Sequence, residues 1–307
     1  MVMKKKGMFF TIMAILLLTF FLLSLVFVSN AQERNVVQKR VESLDSFVFS
    51  AEEDLSRQIY ISGFRIIFLF EKRIVENGTF ISNFPATFDE AFYNGTIYGQ
   101  PQSLMTGATF SEIKSSLENK ARKINANASL FDPSILVTQD DPWHVKVVFN
   151  SSFFVEDKNK LASWNKSISI VGLIPVEGFE DPLYVVNTNG LITNKITKSL
   201  YTNFVSGSDV QNLLLHLTNS YYIASASAPS FLDRLQGNVG ANLYGIESLV
   251  NLEKLSSQGV YVKDKSVVDY IYFSTANPSS CNVIPNGLPS WFKLDNEHLT
   301  VYQVNCL

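Results

Sequence analysis

Hydrophobic and polar positions divide this chain sharply near residue 29. From Met8 to Val28 only Thr11, Thr19 and Ser24 are polar, and those weakly. As a helix this run is about 31 Å long, enough to cross the hydrocarbon core of a bilayer. Charge returns after Ala31, but a helical repeat persists. Val37, Val41, Leu44, Val48, Ala51, Leu55 and Ile59 follow one another at steps of three or four, which lays one apolar stripe along a helix. No proline precedes Pro85, and Asn77-Gly78 offers a stop because glycine accepts the left-handed cap conformation. The pattern predicts one helix from Met8 to Glu76, half of it a transmembrane span and half an amphipathic stalk.

Farther on, the pattern predicts a mixed domain. Residues 59–70 are apolar nearly all round and are expected to be buried, with Gly63 marking a bend or a close helix contact. Residues 77–107 read as loop, from Asn77-Gly78, Pro85, Asn94-Gly95, Pro101 and Gly107. Thr109 and Glu112 form a capping box for a helix that buries Phe110, Ile113, Leu117, Ala121 and Ile124. From about residue 134 the reading is β. Val145, Val147 and Phe149 alternate, as do Ile168 and Ile170, and residues 183–187, 191–196, 260–262, 267–274 and 299–304 are shorter strand candidates. Helices are expected over 208–218, capped by Ser208 and Gln211, and over 229–235 and 245–255. The expected fold class is α+β, a long N-terminal transmembrane and amphipathic helix followed by an ectodomain with a mainly antiparallel sheet and several helices. The expected divisions are a basic leader (1–7), a membrane span (8–28), a stalk (29–76) and an extracytoplasmic domain (77–307), the last as one body or two subdomains.

Charge sets the topology. The formal net charge is -3, and Lys4, Lys5 and Lys6 precede the apolar run. Lysines stay on the cytoplasmic side, so the N-terminus is expected inside and everything after Val28 outside. The remainder is acidic and has no basic run, which argues against nucleic acid as a partner. A cleaved secretory signal is the competing reading, with Ser29-Asn30-Ala31 offering small residues for a peptidase and Gln32 as the new N-terminus; the apolar run is longer than such a signal requires.

Candidate chemistry is sparse. Cys281 and Cys306 are the two cysteines, and in an exported protein they suggest one disulfide, with two buried thiols as the alternative. Sequons at Asn77, Asn94, Asn127, Asn150 and Asn165 make these asparagines candidate glycosylation sites. Asp140, Asp141 and His144 could ligate a cation, although a solvated strand start explains them better. Glu177, Glu180 and Asp181 lack the spacing of a calcium loop. His144, His216 and His298 are isolated, and no nucleophile elbow, phosphate loop or dinucleotide fingerprint is present. No enzyme activity and no cofactor is expected.

The stretch Lys4-Lys5-Lys6-Gly7-Met8-Phe9-Phe10-Thr11-Ile12 resembles a class III signal peptide, the leader of type IV pilins and related archaeal surface proteins. The resemblance covers residues 4 to about 60. It implies cleavage after Gly7, a mature start at Met8 and a helical spine that packs against the same helix in other subunits. Bacterial pilins have a glutamate at the fifth mature position, where this chain has Ile12. The function expected from the resemblance is a subunit or minor component of a type IV-like surface filament, with the bilayer and related subunits as partners. An anchored binding or adhesion domain that never polymerises is the alternative, and an anchored hydrolase without a recognisable motif the second.

Overall fold

The computed structural model describes residues 3–284 and 287–307, with the side chains of 3–8, 31 and 33 outside the description. The processing pair Gly7 and Met8 lies among those side chains. Helix α1 runs without interruption from Met3–Asn77. Gly78 follows at φ +65° and donates its N–H to the carbonyl of Ile74 at 2.8 Å, which closes the helix with a left-handed cap.

Two helices follow, α2 (Phe84–Asn94) and α3 (Phe110–Lys123), with strands β1 (Thr96–Ile97) and β2 (Gln100–Pro101) between them. The loop expected over 77–107 is therefore corrected. Pro85 sits in the first turn of α2, and Gly95 caps its end at φ +70°, so the residues read as loop punctuation are the two ends of a helix. The capping box of α3 is present, with Thr109 Oγ1 donating to Glu112 Oε2 at 2.7 Å and the N–H of Thr109 reaching the same oxygen at 3.2 Å.

Three long strands form a sheet in sequence order, β3 (Ala126–Asp141), β4 (His144–Asp157) and β5 (Ser163–Pro175). The two-residue turn Pro142-Trp143 makes the first pair antiparallel. The sheet begins eight residues earlier than expected, because small Ala126 and Ala128 carry the buried face at its start. Along β4 the inward series extends from Val145 through Phe153 and Val155 to Asp157.

The remainder consists of short elements: α4 (Pro182–Asn187), α5 (Gln211–Asn219), β6 (Tyr222–Ala224), α6 (Phe231–Leu235), β7 (Ile246–Ser248), α7 (Leu252–Ser257), α8 (Asp269–Phe273), β8 (Ser280–Ile284), β9 (Lys293–Asp295), α9 (Asn296–Val301) and β10 (Asn305–Cys306). Strands β6 and β7 pair antiparallel, and β8 lies between β9 and β10 in an antiparallel three-stranded sheet. The protein is thus α+β, with a long N-terminal apolar helix and antiparallel sheets. The Cys281–Cys306 disulfide ties β8 to β10.

Several strand expectations are overturned here. Residues 183–187, 267–274 and 299–304 contain helices, while 191–196 and 260–262 form no strand. Asp181 and Asp295 cap α4 and α9, each accepting the N–H two residues on. A side-chain cap satisfies a free N–H at the first turn, and here it outweighs β-branched composition. The helix expected over 245–255 is split into β7 and α7, the latter capped by Asn251. Helix α5 starts at Gln211 without the Ser208 cap; Asp209 Oδ1 accepts the Gln211 N–H at 2.9 Å instead.

The chain divides into two compact units. The first comprises Met1–Asp54, Ser115–Phe131 and Ser152–Ser167. Its interior holds Leu44, Val48, Leu117, Ala121, Leu130, Phe153 and Val155. The second comprises Leu55–Lys114, Asp132–Ser151 and Ile168–Leu307. In it, Phe92, Phe110 and Phe149 form a ring triad at 5.9–6.1 Å between centroids. Gly63 and Gly172 let helix and sheet approach closely. A Cβ on Gly63 would lie 2.9 Å from Val147 Cγ2, and one on Gly172 3.1 Å from the Tyr60 backbone. Gly63 thus marks a close contact. Gly172→Val should lower stability by about 1–3 kcal/mol through overpacking, read as a lower urea midpoint at unchanged slope.

Candidate functional site

The first candidate site is the free half of α1. Every large apolar side chain from Phe9 to Val28 leaves half or more of its surface uncovered. The segment is long and apolar enough to cross a membrane by length and composition. A helix satisfies its own backbone N–H and C=O groups, as hydrocarbon requires. Thr19 Oγ1 donates to the Leu16 carbonyl at 2.9 Å, so this hydroxyl is satisfied as well.

The stalk stripe changes character along its length. Val37 and Val41 are each 37% exposed, whereas Leu44, Val48, Ala51, Leu55 and Ile59 are buried within the chain. The boundary is marked by an ion pair. Arg40 Nε donates to Asp157 Oδ1 at 2.5 Å, and Nη2 to the Asn125 carbonyl at 2.8 Å. Burial alone would raise the Asp157 carboxyl; Arg40 and the N–H groups of Asn159 and Leu161 outweigh it and hold the carboxyl below its ordinary range.

The second candidate is a buried polar core on β7, where successive side chains point to opposite faces. Ser248 Oγ and N–H donate to Asp269 Oδ2 at 2.8 and 3.0 Å. Asp269 also accepts from Arg234, at 3.0 and 3.2 Å. Arg234 Nη1 reaches Asp181 Oδ2 at 2.5 Å, and Nη2 donates to the Ile246 carbonyl. Tyr222 Oη donates to the same Asp181 oxygen at 2.7 Å. Arg234, Asp181 and Asp269 are wholly buried. Burial pushes the Asp269 carboxyl up, against the pull of Arg234. The guanidinium stays charged, because the two carboxylates outweigh its own burial.

Glu247 serves the other network. His298 places Nδ1 2.7 Å from Asp295 Oδ1 and Nε2 3.2 Å from Glu247 Oε2. With a carboxylate at each nitrogen, the ring is an imidazolium donating both N–H groups. Burial alone would lower its pKa, but the hydrogen bonds and charges of Asp295 and Glu247 raise it to about 10. Tyr302 Oη donates to Glu247 Oε1 at 3.0 Å, and Ser266 Oγ to Asp295 Oδ2 at 2.7 Å. By contrast, burial lowers His216 to about 4, so that ring is neutral. These networks hold short elements together, and their buried groups meet no solute in this conformation.

The residues singled out by sequence are scattered. Asp140 pairs with Lys146 at 2.5 Å, and Asp141 with His144 Nδ1 at 3.0 Å. Among the described residues, no group of three or more His, Cys, Asp or Glu could hold a metal ion. Of the acidic run near Gly178, Asp181 joins the Arg234 cluster, while the Glu180 N–H donates to Glu71 Oε1. Desolvation raises Glu71 to about 7. Asn77, Asn94, Asn127, Asn150 and Asn165 are all exposed. Arg234, Glu247 and Asp269 carry no local motif, and His298 stands alone in the sequence. Asp295 and His298 lie three positions apart, but the other partners in these networks lie 12–55 positions apart, so no spacing could have announced them.

The chain matches no protein-family model, no curated protein and no solved structure.

Proposed function

We propose that this chain is a single-pass surface protein, with its N-terminus inside and its ectodomain outside the cell membrane, and that α1 is a pilin-like spine. One observation carries the reading. An uncovered apolar helix continues without a break into the helix that forms part of the domain's own core. A surface of this kind must be covered by lipid or by other apolar helices. Lys4 to Lys6 supply the orientation, and the disulfide and five exposed sequons suit an exported, glycosylated domain. In the filament state the segment from Met8 to about Val41 leaves lipid and packs against the same segment of other subunits. Leu44 to Ile59 are already covered by the chain itself, which shortens the intersubunit contact the stripe was expected to provide. That burial also favours the second reading, an anchored binding domain that stays in the membrane.

The mature N-terminus decides between them. Masses of wild-type and Gly7→Leu protein are compared in membranes and in sheared surface fractions. Wild-type protein is expected to begin at Met8 and to reach the sheared fraction. The variant should insert equally well, since one residue hardly alters the apolar span, but should retain Lys4 to Lys6 and remain in the membrane. Uncleaved masses for both, differing only by the substitution itself, would leave the anchored domain, and a start at Gln32 would remove the membrane helix from the mature protein.

A further inference from the structure

We propose that the end of the first unit nearest the apolar helix is a lipid-facing surface that seats on the anionic headgroups of the bilayer; this rests on the anchor reading of α1. Pairings within the unit fix which end that is. Lys120 pairs with Asp54 at 2.5 Å and Lys166 with Glu52, far along the helix. Asn125 and Asp157 instead meet Arg40, about 18 Å closer to Val28 along the axis. Two connections therefore lie at the end facing the apolar segment: residues 122–125, the end of α3 and the turn after it, and residues 158–162 between β4 and β5. The Lys158 N–H donates to the Asn125 carbonyl at 3.2 Å and locks them together.

The chemistry of this end is one-sided. Arg122, Lys123, Lys158 and Lys160 are exposed, no carboxylate lies in residues 122–125 or 158–162, and Asp157 at the end of β4 is buried and occupied by Arg40. Among the described residues Lys123, Lys158 and Lys160 form no ion pair. Leu161, 43% exposed, stands beside Lys160 at the hairpin tip, and Trp164 is half-buried just beyond it. Cations around an exposed leucine, on a chain acidic overall, suit a headgroup layer, where lysine meets phosphate and an apolar side chain dips below. Distance allows it. From Val28 to Arg40 is about 18 Å of helix, of which the headgroup layer takes roughly 5–8 Å. The rest is close to a Debye length of about 8–10 Å, and helix tilt of about 20° together with lysine reach shortens it further.

The test uses the full chain carrying Leu161→Cys, labelled with a fluorophore; the native cysteines are held as a disulfide. It is reconstituted into phosphatidylcholine vesicles with or without one part in three of phosphatidylglycerol, each containing lipid with a headgroup quencher. Quenching is expected to be severalfold greater in the anionic vesicles, to vanish at high salt, and to be lost in the Lys158→Gln/Lys160→Asn variant, whose asparagine tolerates the positive φ at 160. Equal, salt-insensitive quenching in both vesicle types overturns the proposal while leaving the anchor intact. Failure of the wild-type chain to float with vesicles overturns the anchor reading and, with it, this surface.

Discussion

Arg234→Met should destabilise the second unit by about 3–5 kcal/mol, because it leaves buried carboxylates without their cation. Asp181 and Asp269 are wholly buried and share this one guanidinium. Tyr222 and Ser248 still donate to them, but neutral donors cannot balance two charges in a low-dielectric interior. The natural cluster is itself imperfect, since Arg234 Nε is buried without a partner. Its removal together with the acids should therefore be tolerated better. Arg234→Met with Asp181→Asn and Asp269→Asn is expected to recover part of the loss, as buried ion clusters often do when every charge leaves at once. The pH dependence has a definite sign. In the single variant Asp269, which burial already pushes up, loses the guanidinium that pulled it down, so the deficit is smallest in acid and grows as pH rises. Denaturant midpoints at two pH values for the three proteins read both effects. A single variant no worse than the triple one would show that the cluster contributes little.

Raising the pH from neutral toward 10 should weaken the fold through His298. Its pKa is raised from 6.5 to about 10 in the folded protein. A group protonated more readily when folded contributes its full stability below the unfolded pKa and loses it as pH climbs through the folded one. The window is therefore from about 6.5 to about 10. His298→Gln should flatten the pH dependence across that window and cost several kcal/mol at neutral pH, because Glu247 and Asp295 lose their shared cation. Thermal unfolding across the window, for wild type and variant, checks both. An unchanged slope in the variant would assign the loss to other groups. The N–H of the ring also orders α9 against β7, so the C-terminal segment closed by the disulfide is expected to lose amide-exchange protection first at high pH.

Much of the architecture was legible along the chain because it is written in short-range periodicity. The apolar run, the stalk stripe and the stop at Gly78 rest on contacts within a few residues, and the helix follows them. The capping box at Thr109 and the alternation of Val145, Val147 and Phe149 are equally local. Local signals also misled. Val267 to Phe273 has strand-like composition, yet Asp269 is drawn inward by Arg234 and Ser248, and the segment turns into a helix around it. Pro85 reads as loop punctuation, yet it opens a helix.

The sequence by itself determined the helix that can span a membrane, the α+β class and the isolation of each histidine from any motif, since these depend on composition and nearest neighbours. Which part of the stalk is buried, and that Glu247 joins the nearby Asp295 at His298, only the tertiary structure decided. Glu247 and His298 lie 51 positions apart, as Arg234 and Asp181 lie 53. A charge can enter the interior when a partner is brought to it, and that partner is chosen by how strands and turns return on one another, which no periodicity records.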